Sequence, residues 1–598
     1  MTPEPTKRPV YAPTRRTFLR DATLVSIGML AAACQAGTPT PSGATGKKGG
    51  EIHGAWPYDL PPKGHYNYFT SGAILATSGV SIFGDLMMPS LAAYRWAEAK
   101  WEYWLAESHT ASADSFEVKL RKGLKWDDGT PFTSKDVWTT FWVGRMEGFS
   151  IWSYIDDVTM PDDSTVRFHF KTPTTLADRL ILRANGIRQD KQFGDFAKRA
   201  ESLFKSGKTT SSDEVKALRT EKDNLRPTAP VSVGPYKMDT STLTAAQVTF
   251  VRNPGGLFGD TVNFDKVVVY QGETAAIAPL VLSGDVDYAT HGFSVAQDKS
   301  FQDAGLKIVR GPLYTGPALY FNWDKAPEFQ DPRLRQAVAM AINRVESGTI
   351  AYGQSAKPPK YMAGFPDELA GNWIDSATQG KLKSYDYDVA KADQLMKDAG
   401  YTKGSDGIYA KGGKKLEYEL YFPSDFTDWS AAADHAQKAL NTFGIKITPR
   451  GAPRSQQLPD TNDGKFQIAL NPWGTGSPHP QVSLVRPFRE FNTTPAGGGM
   501  HYPLKQKWSG GDIDFDKLLD DAGAGTDVNK QKAAISTIAQ AFNELLPIIP
   551  LWERLGNNPI NDKKRVAGWP DLSDKIYQNA GSDNFTILML LNGTLHSI

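Results

Sequence analysis

The stretch Phe116–Trp142, FEVKLRKGLKWDDGTPFTSKDVWTTFW, combines the patterns of a strand, a turn and a helix. Polar and apolar residues alternate over Phe116–Leu120, which predicts a half-buried strand. Asp128-Gly129 supplies turn chemistry, and Thr133 or Ser134 is placed to accept backbone N–H groups as the N-cap of a helix. The stretch offers no obvious catalytic group, and it requires a fold in which strands lie beside helices.

The same alternation continues along the chain. Asp265–Tyr270 has the pattern of a buried strand, Thr274–Leu282 that of a helix ending at Gly284, and Val286–Ala289 that of a further strand. Strand, helix and strand at this spacing predict an α/β fold with a largely parallel or mixed sheet. Because 598 residues exceed what one hydrophobic core accommodates, we expect two or three domains.

Composition excludes several functional classes. The 67 Lys and Arg residues nearly cancel the 66 Asp and Glu residues, so net charge does not favour a nucleic-acid partner. Cys34 is the only cysteine, which excludes an intrachain disulfide and a Cys-rich metal site. We therefore expect no cofactor and no metal. The many aromatic residues either pack in cores or line a ligand cleft.

The N-terminus indicates export. An apolar run over Ala22–Ala33 is too short to span a bilayer, and residues 1–33 have the form of a signal peptide. TRRTFLR, containing Arg15-Arg16, resembles a twin-arginine signal. Ala31-Ala32-Ala33-Cys34 resembles a lipoprotein cleavage site, although Leu30 lies one place early. This predicts lipidation of Cys34 and a flexible tether over 34–50; the alternative is a removed signal with an incidental cysteine.

The sequence also resembles a known protein family. Motifs at Phe116–Val137, Val233–Tyr236, Leu282–Asp287 and Phe329–Arg344, with Ile549–Leu551 at the close, are similar in order to the signatures of family 5 extracytoplasmic solute-binding proteins. These proteins serve ABC importers of peptides, nickel and oligosaccharides. The matching positions of the first motif are Leu120, Arg121, Gly123, Lys125, Trp126, Asp128, Gly129, Pro131, Thr133, Asp136 and Val137.

The resemblance implies a two-lobed clamp of the periplasmic-binding-protein type, with mixed sheets and an extra subdomain in the larger lobe. The expected divisions are lobe I over 51–322 with the subdomain at about 86–235, lobe II over 323–550, and a return to lobe I over 551–598. The crossovers are expected near Asn322-Trp323 and Leu551-Trp552. The implied protein is a monomer without enzymatic activity that docks on permease subunits outside the cytoplasm. It is held by a lipid anchor on the outer face of the cytoplasmic membrane or lies in the periplasm.

The solute is less constrained. In peptide-binding members an Asp that follows the strand corresponding to Phe466–Leu470 receives the peptide amine, but Asn471–Pro480 contains no acid. Trp473 lies there instead and suits stacking on a sugar. We therefore expect a β-linked oligosaccharide, with an oligopeptide as the alternative. Nickel, opines and other solutes stay open, as does a secreted glycoside hydrolase, whose two carboxylates no sequence pattern can place.

The candidate ligand contacts combine an aromatic N-terminal loop with two later positions. An equally consistent interpretation is that this loop packs against the core. The stretch Phe116–Trp142 is better explained as framework of the first lobe than as a binding site. The candidates are Trp56, His65, Tyr66, Asn67, Phe69, Tyr314 and Trp473.

Overall fold

The computed structural model describes residues 46–57, 64–70, 72–74, 82–183, 186–493 and 498–598. The predicted signal peptide, Cys34 and most of the tether lie outside these residues. Within the described ranges, no helix combines the length and apolarity that a membrane crossing requires.

The first large sheet is mixed and has seven strands. Glu51–Trp56 lies at its centre and pairs in parallel with Lys266–Gln271 on one side and Tyr288–Ala289 on the other. The strands in order across the sheet are Lys307–Val309, Asn558–Ile560, Tyr288–Ala289, Glu51–Trp56, Lys266–Gln271, Gln247–Arg252 and Tyr236–Met238.

A four-stranded antiparallel sheet forms the subdomain beside it. Ser115–Leu120, predicted from alternation, is an inner strand of this sheet, and its apolar side chains Phe116, Val118 and Leu120 are buried. The order across the sheet is Ala106–Ala111, Ser115–Leu120, Thr165–Phe170 and Ile155–Asp162. Its helices are Ser134–Met146, Asp190–Lys205 and Asp213–Asn224.

The second large sheet has five strands and a separate hydrophobic core. Its order is Lys446–Ala452, Glu417–Pro423, Ile468–Trp473, Gly316–Phe321 and Ile548–Pro550. Glu417–Pro423 runs parallel to both of its neighbours, whereas Gly316–Phe321 is antiparallel to its neighbours. We call the parts built on the seven- and four-stranded sheets the first lobe, and the part built on the five-stranded sheet the second lobe.

Helices cover both large sheets. Those of the first lobe are Thr274–Leu282, Val295–Asp303 and Phe585–Leu591. Those of the second lobe are Pro332–Ala341, Arg344–Tyr352, Asp367–Trp373, Ser376–Gln379, Val389–Asp398, Thr427–Phe443, Arg454–Asn462, Pro480–Val485, Phe515–Gly523 and Val528–Leu545. Shorter strands form hairpins or ribbons at Ala92–Arg95 with Lys100–Tyr103, Ala356–Lys357 with Glu553–Arg554, Thr402–Lys403 with Tyr409–Lys411 and Lys414–Lys415, Lys505–Trp508 with Gly511–Asp514, and Val566–Ala567 with His596–Ser597.

Two chain segments cross between the lobes and pair with each other. The N–H of Gly556 donates to the Gly311 carbonyl at 2.6 Å, that of Leu313 to the Arg554 carbonyl at 3.0 Å, and that of Arg554 to the Thr315 carbonyl at 2.7 Å. Since strand Gly316–Phe321 belongs to the second sheet, the first crossover precedes it. The expected boundary at 322 therefore falls too late, and we propose 310–316 and 552–557 as the crossovers.

The helix predicted after Thr133 is present and begins as expected. Thr133 is the N-cap of the helix Ser134–Met146. Thr133 and Asp136, which lies in the first turn, form a capping box. The Asp136 carboxylate accepts the Thr133 N–H at 2.8 Å and the Trp126 indole N–H at 3.2 Å. Trp126 is buried, so this cap joins the turn to the helix inside the subdomain core. The motif is therefore structural here.

Replacing Thr133 with Ala should lower the free energy of unfolding by about 1 kcal/mol, because the Thr133 hydroxyl satisfies a first-turn N–H that would otherwise lack a protein partner. Lys135→Ala, on the exposed face of the same turn, is the matched control. Urea unfolding of both variants measures the difference. Equal free energies of unfolding for Thr133→Ala and Lys135→Ala would show that the cap does not stabilise the fold.

Candidate functional site

A cavity of about 300 Å³ lies between the two lobes beside the crossovers. Many of its walls are loops that follow the carboxyl ends of strands: Trp56 ends the central strand, Thr290 follows Tyr288–Ala289, and Asp425 follows Glu417–Pro423. Ligands of α/β proteins commonly bind at this edge of a sheet. The lining residues are Trp56, Pro57, Glu273, Thr274, Thr290, His291, Gly292, Leu313, Tyr352, Asp425, Phe426, Thr427, Asp428, Arg554 and Asn558.

A smaller cavity of about 130 Å³ adjoins the first. Trp56, Thr290, Leu313 and Asn558 line both cavities, and we refer to the two adjoining cavities together as the cleft. The additional wall comes from the C-terminal segment around Phe585. The cleft is therefore bounded by the first lobe, the second lobe and the crossovers together.

A carboxylate and a guanidinium lie together on the wall of the larger cavity. The Arg554 Nε atom is 3.4 Å from the Asp428 Oδ2 atom, and Asp428 is only 3% exposed. The Arg554 Nη2 atom donates to the Tyr352 hydroxyl at 3.3 Å, and its guanidinium lies 5.0 Å from the centre of that ring. Burial raises the pKa of Asp428, whereas the positive charge of Arg554 opposes that rise. The cavity wall therefore carries an acidic and a basic side chain next to each other.

Two helices, one from each lobe, begin at the cavity. Thr274–Leu282 starts after Glu273 and Thr427–Phe443 after Phe426, and neither N-cap side chain accepts a bond from the first turn. The Asp428 carboxylate lies close to the N–H groups at the start of the second helix. The first helix directs the positive end of its dipole towards the cleft, which favours an anionic ligand group.

His291 is a neutral polar group of the cavity wall. The side chain is buried, and its Nε2 atom lies 2.9 Å from the Gly272 carbonyl oxygen. Its ring stacks on Phe293 with a centroid separation of 5.2 Å. Burial lowers the pKa of His291 to about 4. The imidazole is therefore uncharged at neutral pH and offers hydrogen bonds but no charge.

Among the candidate residues predicted from sequence, Trp56 lines the cleft. Tyr314 is buried at the first crossover, where its ring stacks on Trp96 at 4.3 Å and its hydroxyl donates to the Gln578 carbonyl at 3.3 Å. It does not line either cavity. The role predicted for Tyr314 as a ligand contact finds no support in this geometry.

Trp473 lies inside the second lobe and does not reach the cavity. The side chain is 1% exposed, and its indole N–H donates to the Trp552 carbonyl at 3.3 Å. It packs in the core of the second lobe with residues such as Ala318 and Tyr320. The hypothesis that this ring stacks on a sugar is therefore corrected: a side chain enclosed by core residues presents no face to a ligand.

The described residues 64–70 of the aromatic N-terminal loop pack against the first lobe. Asn67 is buried, and its Nδ2 atom donates to the Lys222 carbonyl at 2.7 Å. Phe69 is also buried and meets Phe193 edge to face at 4.9 Å. His65 and Tyr66 are half-buried and do not line the cleft. The alternative interpretation, core packing, fits these four residues better than ligand contact.

Asp428, Arg554 and His291 were not anticipated as cleft residues. Their positions in the sequence could have indicated a place in the cleft. Asp428 and His291 follow strand ends, and Arg554 lies next to the predicted crossover at Trp552. Across the part of the chain that the structure describes, no group of three or more His, Cys, Asp or Glu side chains is arranged to hold a metal ion.

Comparison with known proteins finds a matching family model and similar sequences. The model of the bacterial extracellular solute-binding proteins, family 5 (middle region), matches residues 100–494. An ABC transporter peptide-binding protein of Brucella ovis is 26% identical over 471 residues, which are 75% of this chain and 78% of that protein.

Two solved structures show the fold. The periplasmic oligopeptide-binding protein of Thermotoga maritima with bound mannohexaose has a TM-score of 0.68 at 21% identity, covering 92% of this chain and 99% of that one. The oligopeptide-binding protein of Bacillus subtilis in complex with a nonapeptide has a TM-score of 0.66 at 17% identity, covering 92% and 100%. The predicted two-lobed α/β clamp is confirmed.

The buried His291 should make the protein sensitive to acid. Its folded pKa of about 4 lies below the ordinary value near 6.5, so between these values the unfolded chain binds a proton that the folded chain does not. Stability should fall as pH drops through this window, by about 2 kcal/mol between pH 7 and 4.5 for this residue.

Urea unfolding at pH 7 and 4.5 measures this loss, which His291→Gln should reduce. His479, whose pKa burial also lowers to about 4, lies in the second lobe away from the cleft. His479→Gln should show a similar reduction. An unchanged acid sensitivity in both variants would contradict the assignment.

Proposed function

The chain belongs to the bacterial extracellular solute-binding proteins, family 5, and from that membership we propose that it binds a short peptide between its lobes and delivers it to an ABC importer. A ligand held between two lobes favours their closed arrangement, because only there do both lobes contact it. The proposed role is capture and delivery, without turnover of the ligand. The relatives named as peptide-binding proteins support this assignment.

The observation that carries the peptide proposal is the paired charge in the cleft. A peptide with free ends carries an ammonium and a carboxylate, and each needs an opposite charge when it leaves water. Asp428 supplies a carboxylate for the ammonium. Arg554 has a planar fork that matches a carboxylate, and the helix beginning at Thr274 directs its positive end into the same cavity.

The charge arrangement changes the ligand preference drawn from the sequence. The absence of an acid in Asn471–Pro480 argued against a peptide amine, but Asp428 approaches the cleft from a different strand end. The argument for sugar stacking rested on Trp473, which is buried in the core. The cavity volume lies at the small end of the range for ligand pockets, which favours a short peptide.

An oligosaccharide is the second candidate. Trp56 is a half-buried aromatic side chain on the wall of both cavities, with the Thr290 hydroxyl and the Asn558 amide nearby. Rings with adjacent hydroxyl and amide groups suit the faces and hydroxyls of sugars. The Thermotoga maritima structure holds mannohexaose.

A thermal-shift panel separates the two candidates. Di-, tri- and tetra-alanine should raise the melting temperature in a concentration-dependent manner, and mannohexaose should not. N-acetylated and C-amidated forms of the same peptides should bind more than tenfold more weakly, because each loses one charged hydrogen-bonding partner. Stabilisation by mannohexaose alone would replace the peptide proposal by the sugar candidate.

Asp428→Asn should weaken tri-alanine binding about tenfold or more while leaving N-acetyl-tri-alanine little affected, because the variant removes only the partner of the ammonium. Asp425→Asn is the matched control. Asp425 also lines the cavity, but it is exposed to water, and its carboxylate accepts the Arg454 backbone N–H at 2.9 Å. Isothermal titration calorimetry measures all four combinations, and equal losses for both peptides would contradict the assigned role.

Export and anchoring remain proposals based on the N-terminal sequence. We propose twin-arginine export and lipidation of Cys34, which would hold the protein at the outer face of the cytoplasmic membrane. In Cys34→Ala the protein should move from the membrane fraction to the soluble extracytoplasmic fraction. Retention of this variant in the membrane fraction would exclude the lipid anchor.

A further inference from the structure

The two lobes meet at a second place besides the crossovers. The segment Pro173–Arg179, which follows the subdomain strand Thr165–Phe170, contacts the second lobe after its helix Phe515–Gly523. The Gly525 N–H donates to the Pro173 carbonyl at 2.6 Å, and the Thr174 hydroxyl donates to the Gly523 carbonyl at 2.5 Å. Two backbone segments thus pair across the lobe boundary.

Side chains extend this contact. The Thr175 hydroxyl donates to the Gln531 Oε1 atom at 2.9 Å, and the Gln531 Nε2 atom donates to the Gly525 carbonyl at 3.0 Å. Gln531 is fully buried and Thr174 is 4% exposed. The Thr174 bond is therefore shielded from water, and the Thr175 bond is partly shielded, so that losing either partner is costly.

Arg179 adds a connection at the end of the segment. Its Nη1 atom lies 2.8 Å from the Asp583 Oδ2 atom, and its Nη2 atom donates to the Gly476 carbonyl of the second lobe at 3.2 Å. Asp583 is fully buried and also contacts Arg183 at 3.1 Å. One guanidinium thus joins the subdomain, the C-terminal segment and the second lobe.

The contact is closely packed around Gly523. A Cβ atom added at this position would lie 2.5 Å from the Tyr154 hydroxyl and 3.2 Å from the Leu176 Cδ1 atom, both on the first lobe. Gly523 is the last residue of its helix and does not have a positive φ. The absence of a side chain therefore serves the approach of the lobes rather than the backbone conformation.

We propose that Pro173–Arg179, with Gly523–Gly525, Gln531 and Gly476, is a closure latch that stabilises the closed arrangement of the lobes independently of the ligand. None of these residues lines the cleft. Bonds between lobes form only when the lobes approach, so they shift the balance between open and closed states before any solute binds. The latch thereby sets how much of the closing free energy the solute must supply.

The test measures lobe distance in the full chain without ligand. Dyes at Lys198→Cys on the subdomain and Lys438→Cys on the second lobe, both exposed positions, report closure by single-molecule energy transfer in a Cys34→Ser background. Thr175→Val and Gly523→Ala should each lower the ratio of closed to open molecules at least about threefold. Thr172→Val, two residues before Thr174 on the same loop, is the matched control.

A second variant separates the latch from a folding defect. Gly523 does not have a positive φ, so its backbone accepts alanine, and Gly523→Ala should unfold close to the parent chain. Adding Tyr154→Phe removes the nearest clashing atom and should restore much of the closed population. The proposal depends on lobe closure and not on the solute, so a ligand-free measurement tests it even where the peptide proposal fails.

Three results would overturn the latch. The first is a parent chain that shows no closed population without ligand. The second is an unchanged ratio in both Thr175→Val and Gly523→Ala. The third is a combination of two observations. The ratio of closed to open molecules falls in Gly523→Ala and is not restored by Tyr154→Phe, and the same ratio is unchanged in Thr175→Val.

Discussion

The pairing of the two crossover segments is the constraint on which the two-lobed arrangement depends. Residues 311–315 and 554–556 exchange backbone hydrogen bonds of 2.6 to 3.0 Å, so the lobes are joined by a short ribbon and not by a loose linker. Gly316 allows a close approach at the end of the ribbon, since a Cβ atom there would lie 1.9 Å from the Trp552 carbonyl oxygen. The same ribbon carries Arg554 to the wall of the cleft, so the guanidinium proposed to bind the solute lies on a crossover between the lobes.

The cleft combines a buried charge pair with a neutral imidazole. A carboxylate such as Asp428, taken out of water, needs compensation, and Arg554 at 3.4 Å supplies part of it. In the proposed function, the ammonium group of a bound peptide would complete that compensation. His291 does not contribute to this balance at neutral pH, because burial keeps it uncharged.

The crossovers and the proposed latch contact the second lobe at different places. The crossovers lie beside the cavity, whereas Thr174 and Gly525 meet at the edge of the subdomain, and neither of them lines the cleft. An affinity set by both contacts can change through residues that never touch the solute. The subdomain sheet, built on the strand Ser115–Leu120 and the capped helix after Thr133, holds the first-lobe side of this contact. The stretch Phe116–Trp142 thus supports the part of the first lobe that carries the proposed latch.

The sequence by itself determined the local elements and the family. The strand before Leu120 and the helix after Thr133 follow from alternation and capping, which involve neighbours along the chain, and the helix Thr274–Leu282 has the predicted bounds. Only the tertiary structure decided which strands share a sheet and which aromatic rings face the cleft. Gly316–Phe321 joins the second lobe through pairing with Ile468–Trp473, and Trp473 is enclosed by that sheet's core. Asp428 and Arg554 come together because separate segments converge on one edge, and such long-range proximity leaves no periodic signal in the sequence.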